Sequence, residues 1–370
     1  MLCTGRVIVA DVRFNGGKAM INVICYYSLL SLISGFCEIG IVVWGMRAFG
    51  IAGALVGALC YQLGNLVPAP VKLSKKICWL LLSISAVFGL AGFFQPVFLY
   101  PAVIVFTMVL QNERSILKNK TKNTGSKVSK RLFRIIGFAC GFAYGMDIYC
   151  ISQILFFICV LLVAVCLRRN KDDVKSSFSI PHFNKLDLIL IFHEIHYFVY
   201  CYSILLIVYS LNVYGEIVGM YASIAFALSW IPYALVPNLY KSPKILRKLG
   251  YKETFLIGHS ILTVILVIMF FLFRAELSSG NLPLISLVIW LLTGFGGTTE
   301  FCIEEIDKIN GTYVKNNHNS AENIGHILGV SLSLIIYCIT SNLCISILIA
   351  GIFALAALLF MLIFVKEVSK

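Results

Sequence analysis

The chain has 370 residues, 59% of them hydrophobic and 13% charged, with a mean hydropathy of +0.92. A soluble domain carries roughly 25% charged residues, so the composition excludes a water-soluble module and predicts an all-α polytopic membrane protein. A formal net charge of +13 in a soluble chain would point to nucleic acid. Here the cations lie between apolar runs, so membrane lipid headgroups, not nucleic acid, are the expected partner.

Residues 1–19 are polar and lack the long apolar core of a signal peptide. Gly16-Gly17 precedes Met20 at the spacing of a translation start, which makes Met20 the expected native first residue. Apolar runs between charge clusters then predict twelve spans in two six-helix halves. The first six are Ile21–Trp44, Ile51–Pro68, Ile77–Phe94, Pro96–Leu110, Leu132–Tyr149 and Ile151–Leu167. The second six are Leu186–Leu211, Ile217–Leu239, Thr254–Phe273, Leu282–Phe301, Asn323–Thr340 and Leu343–Val365. The expected organisation is a leader 1–19, a bundle 20–167, a basic linker 168–185, a bundle 186–365 and a tail 366–370.

With this count, only Arg47 and Arg274 of the thirty Lys and Arg residues fall in outer connections. Inner connections of membrane proteins carry the Lys/Arg excess, so both termini are expected in the cytoplasm, with the cell membrane as location. The eight cations from Arg114 to Arg134 form the most basic of those inner loops. The thirteen cysteines include no CxxC pair and sit mostly inside apolar runs, as small core residues do. A GxxxxGK[ST] phosphate loop is missing too, so no ATPase and no nucleotide cofactor are expected.

The two halves repeat one another. Helix 5 opens on Gly137, with Gly141 and Gly145 at four-residue spacing; helix 11 opens on Gly325, followed by Gly329. Small residues four apart allow close approach of helix backbones in a membrane. With six plus six helices, a basic central linker and Lys-rich loops after helices 2 and 8, the chain resembles the major facilitator superfamily over about Met20 to Val365. It departs from that pattern in the Gly64–Lys76 loop, which lacks the usual Asp-Arg pair, and in helix 4, which carries no intramembrane Arg. The resemblance implies a monomeric secondary transporter moving a small molecule by alternating access, with export the more frequent direction.

Ionisable groups inside spans are costly, roughly 2.5–3.5 kcal/mol at mid-helix, so they mark the candidate site. Helix 7 reads His193-Glu194-Ile195-His196-Tyr197-Phe198-Val199-Tyr200. Helical spacing places His193, His196, Tyr197 and Tyr200 on one face, with Glu194 about 100° around from His193. Glu38 in helix 1 is the other singular acid, with Arg47 near enough to pair with it by snorkelling. Glu300, at the lower part of helix 10, is a possible gate or coupling group. The histidines and acids suit proton coupling, and an acidic, aromatic lining suits a cationic or amphipathic molecule. The segment is HExH rather than the HExxH of zinc proteases, and no Cys or Asp stands beside it at ligand spacing, so no metal is expected. A membrane-embedded acyltransferase using a helix 7 histidine is the alternative, against which the symmetry of the halves argues.

Overall fold

The computed structural model describes residues 5–67, 71–120, 127–145, 149–170, 175–210, 243–281 and 283–365. Its helices are α1 (Gly5–Gly64), α2 (Lys75–Phe94), α3 (Leu99–Lys120), α4 (Lys127–Gly145), α5 (Tyr149–Arg169), α6 (Lys185–Ser210), α7 (Pro243–Ser278), α8 (Leu284–Gly297), α9 (Phe301–Ile309), α10 (Lys315–Thr340) and α11 (Cys344–Phe364). Two-residue strands, β1 (Val71–Lys72) and β2 (Ser177–Phe178), pair antiparallel and tie the loop before α2 to the central linker. Most of the polar leader belongs to α1, which begins at Gly5.

Eight of the described helices are long and apolar enough to cross a membrane, fewer than the twelve spans expected. The expected helices 1 and 2 run together as α1, bent at Gly50. Gly50 has φ 70° and ψ −162°, a conformation with little cost only for glycine. The two arms of α1 then fold against each other, with Gly57 packed on Ile41 and Gly53 on the Gly45 carbonyl. The apolar stretch described in α4 is short, Leu132–Gly141. The expected helix 8, Ile217–Leu239, lies outside the described residues.

Large apolar side chains fill the interior and also cover the outer surface of the helices. Leu80, Val87, Leu161, Val288 and Ile352 are exposed, a surface that water would drive to aggregate and that acyl chains solvate. Eight of the eleven described cysteines are buried, in keeping with core packing.

Glycines set the closest helix contacts. A Cβ added at Gly137 would collide with the Leu32 carbonyl oxygen, and one at Gly141 would lie 2.5 Å from the Phe36 oxygen, so α4 rides on the backbone of α1. In the other half, a Cβ on Gly325 would meet Glu194 and one on Gly329 would lie 2.7 Å from the Phe198 Cβ, so α10 rides on α6 in the same manner. Gly145 ends α4, and its surroundings lie outside the described residues. Gly137→Ala should therefore cost about 1–3 kcal/mol through overpacking, seen as a lower melting temperature in detergent. Gly40→Ala is the control, since its Cβ would sit an ordinary 3.7 Å from Gly141; equal melting temperatures for the two variants would contradict the packing account.

Candidate functional site

Two of the polar clusters among the described residues contain the expected site residues. The first joins the two halves. Glu38 on α1 is 2% exposed, and its Oε2 accepts a hydrogen bond from Arg134 Nη2 of α4 at 2.7 Å. Its Oε1 accepts from the Tyr202 hydroxyl of α6 at 3.0 Å. Tyr202 accepts in turn from Gln62 Nε2 at 3.0 Å, so one hydroxyl from the second half is held by two residues of the first. Beside this joint, Ser34 and Tyr61 hydroxyls lie 2.6 Å apart, and Arg114 Nη1 donates to Ser34 Oγ at 2.8 Å and to Gln111 Oε1 at 2.7 Å.

This geometry corrects two expectations. Glu38 pairs with Arg134, not Arg47, because Arg134 sits inside α4 one turn before Gly137, where the glycine contact brings α4 onto α1. Helix 4 does carry an Arg: α3 continues to Lys120, well past the expected end at Leu110, and takes Arg114 into the bundle. The basic loop expected between Arg114 and Arg134 thus surrenders both of its terminal cations to the interior.

The second cluster lies within the second half. His193 Nδ1 of α6 is 2.9 Å from His259 Nε2 of α7. Across the ring, His193 Nε2 is 3.8 Å from Glu300 Oε2, in the short 3₁₀ turn between α8 and α9. The His196 ring lies 4.7 Å from that of His193, tilted by 59°, and Tyr200 donates to Thr293 Oγ1 of α8 at 3.2 Å. Tyr197 is half-buried, its ring 5.8 Å from Tyr200. Glu194 reaches α10, where its Oε2 meets His326 Nε2 at 3.0 Å, and its carboxylate stays within 4.8 Å of His193 and Glu300.

The helix 7 residues therefore do not line a single surface. His193, His196 and Tyr200 turn toward α7 and α8, Glu194 toward α10, and Tyr202 toward α1. Residues that sequence reasoning passed over include His259, His326, Arg114, Arg134, Gln62 and Tyr202. His259 and His326 carried a usable signal, an ionisable group in an apolar run. Arg134 carried none, standing among seven other cations.

An apolar cleft adjoins the joint on the neighbouring face of α1, lined by Phe36, Ile41, Trp44, Leu99, Val103 and Phe156. Bundled helices with buried charge pairs, a glycine-mediated repeat and an apolar outer surface define an integral multi-pass membrane protein. The fold is shared with several solved membrane transporters. Over 95% of this chain and 98% of the other, it is similar to an auto-inhibited POT family peptide transporter, with a TM-score of 0.62 at 12% identity. It is also similar to a bacterial homologue of the iron transporter ferroportin in its outward-facing state (TM-score 0.58, 12% identity, 92% and 98% covered). A third similar structure is the nucleoside transporter NupG (TM-score 0.57, 16% identity, 94% and 100% covered). No protein-family model matches this sequence, and no curated protein matches it.

Removing one member of a buried ion pair strands the other, at about 3–5 kcal/mol. Arg134→Leu should lower stability by that order in a detergent melting assay, and Glu38→Gln added to it should restore more than half of the loss. A double variant no better than the single would show that the two charges are not coupled.

Proposed function

We propose that this chain is a secondary active transporter working by alternating access, with residues 20–167 and 186–365 as the moving halves. In this reading both termini face the cytoplasm of a cell-membrane protein, and the direction is export. The observation that carries it is the joint itself. The halves meet through hydrogen bonds among Tyr202, Glu38 and Gln62, contributing about 0.5–1.5 kcal/mol net of water for the neutral pair and about 1.5–3 kcal/mol for the bond to the carboxylate. Water entering a cavity can replace such bonds at little cost, so the joint can open and reclose as an interlocked apolar interface could not. A peptide transporter, a bacterial homologue of an iron transporter and a nucleoside transporter share the fold, which supports transport without selecting a cargo.

The charge of Glu38 is balanced by Arg134, and Arg114 adds a second cation held by neutral partners. That weakens the case for an organic cation and favours an amphipathic molecule with its apolar body in the cleft beside Trp44. Protons are the coupling ions in this reading, with Glu38 and Glu194 as carriers. Protonating Glu38 removes the charge that holds Arg134 and weakens its acceptance from Tyr202, which frees the halves to part.

Spin labels at Arg47→Cys and Arg274→Cys, one on each half and both exposed, test this reading without knowledge of the cargo. Two distance populations are expected, and Glu38→Gln or Tyr202→Phe should shift their ratio. A single distribution, unchanged by either variant, would overturn alternating access through this joint.

A further inference from the structure

The proton positions in the second cluster follow from its acceptors. His259 Nδ1 lies 3.3 Å from the Phe255 carbonyl oxygen and 3.2 Å from Thr299 Oγ1. A carbonyl only accepts. Thr299 gives its own hydroxyl proton to the Gly296 carbonyl at 2.6 Å, so toward His259 it accepts as well. His259 Nδ1 therefore carries the ring proton, and in the neutral ring its Nε2 is a bare lone pair. That lone pair accepts the 2.9 Å bond from His193 Nδ1. His193 is left with an unprotonated Nε2, aimed at the Glu300 carboxylate 3.8 Å away.

Glu194 brings a third electron-rich atom. Ligand atoms of His193, Glu194 and Glu300 lie within 4.8 Å of one another. A ring lone pair and two carboxylates converging in this way are a donor set that suits a bound cation. His196 adds a second observation of the same kind. It is 0% exposed, its ring is packed against that of His193, and neither of its ring nitrogens has a hydrogen-bond partner among the described residues. Counting from the start of α6 at Lys185, the kink at Gly250 inside α7 and the end of α9 at Ile309, His193, His259 and Glu300 lie at one level, about 12–14 Å in by helical rise.

We propose that His193, Glu194 and Glu300 form a binding site for a divalent transition-metal cation, with His196 as a further nitrogen ligand within reach. Imidazole combined with carboxylate suits zinc-like and neighbouring first-row ions, whereas calcium and magnesium take all-oxygen shells. Ligand atoms bound at 2.0–2.1 Å around a tetrahedral ion sit about 3.4 Å apart, so the group has to contract by roughly an ångström. Glu300 is placed to do this, since it stands in a short 3₁₀ turn between two helices with its side chain 34% exposed. The other ligands are held from behind, as metal ligands are: His259 fixes the tautomer of His193, and His326 steadies the Glu194 carboxylate. Two carboxylates also neutralise a divalent charge. All these residues belong to the second half, so the proposal stands whether or not the halves move.

The test uses the full-length protein, purified in detergent, stripped with chelator and titrated with Co²⁺ as the probe. One Co²⁺ per chain is expected, with visible absorption of nitrogen and oxygen ligation, no thiolate charge-transfer band, and displacement by Zn²⁺ but not by Mg²⁺. His193→Ala and Glu300→Gln should each abolish the band, and His259→Phe should weaken Co²⁺ binding about 10- to 100-fold by freeing the tautomer. Melting curves and elution profiles of the variants establish that they are folded, and Glu300→Gln is near-isosteric. Absence of stoichiometric Co²⁺ binding to the wild-type protein would overturn the proposal. So would binding that survives both His193→Ala and Glu300→Gln, or a spectrum dominated by cysteine.

Discussion

A carboxylate held in hydrocarbon has to find a cation, and the rest of this structure is arranged around how Glu38 finds one. The cost of an isolated buried charge is several kcal/mol, far more than any single packing contact returns. Arg134 supplies the counter-charge at 2.7 Å, and it can do so only because Gly137, one turn further along α4, lets that helix lie against the backbone of α1. Close glycine packing and charge pairing are therefore one device: a larger residue at Gly137 would move the guanidinium away from the carboxylate as well as open the helix interface.

The second half uses the same glycine arrangement for a different purpose. Gly325 and Gly329 seat α10 on α6, which brings His326 to Glu194. On the side of α6 that faces α7 and α8, His193 meets His259 and Glu300. The first half thus neutralises its buried acid with an arginine, while the second half gathers acids and ring nitrogens. This asymmetry within a repeated framework is what separates the joint, which holds the halves together, from the histidine cluster, which has the chemistry of a cation site.

Much of the architecture was legible in the chain. Apolar run lengths located the helices, because the width of the hydrocarbon layer sets how many residues a span needs. The four-residue glycine spacing in helices 5 and 11 pointed to the two closest helix pairs. The residues Glu38, His193, Glu194, His196 and Glu300 were visible as ionisable groups in apolar surroundings. Their groupings were not. His193, His196 and Tyr200 turn together toward α7 and α8 as their helical spacing implies, but the partners they and Glu194 meet on other helices could not be read from one helix. Arg134 was hidden in a run of like charges, and composition alone offers no means of telling a lipid-facing cation from one that turns inward.

The sequence by itself determined the solvent of this protein, the approximate positions of its spans and which residues are expensive to bury, since each depends only on local composition. The tertiary structure decided who pairs with whom. Glu38 and Arg134 are 96 residues apart, Glu38 and Tyr202 are 164 apart, and His193 and His259 are 66 apart. Pairings over such distances are set by helix packing, and hydrogen-bond geometry selects one partner from several of equal charge only once the helices have met.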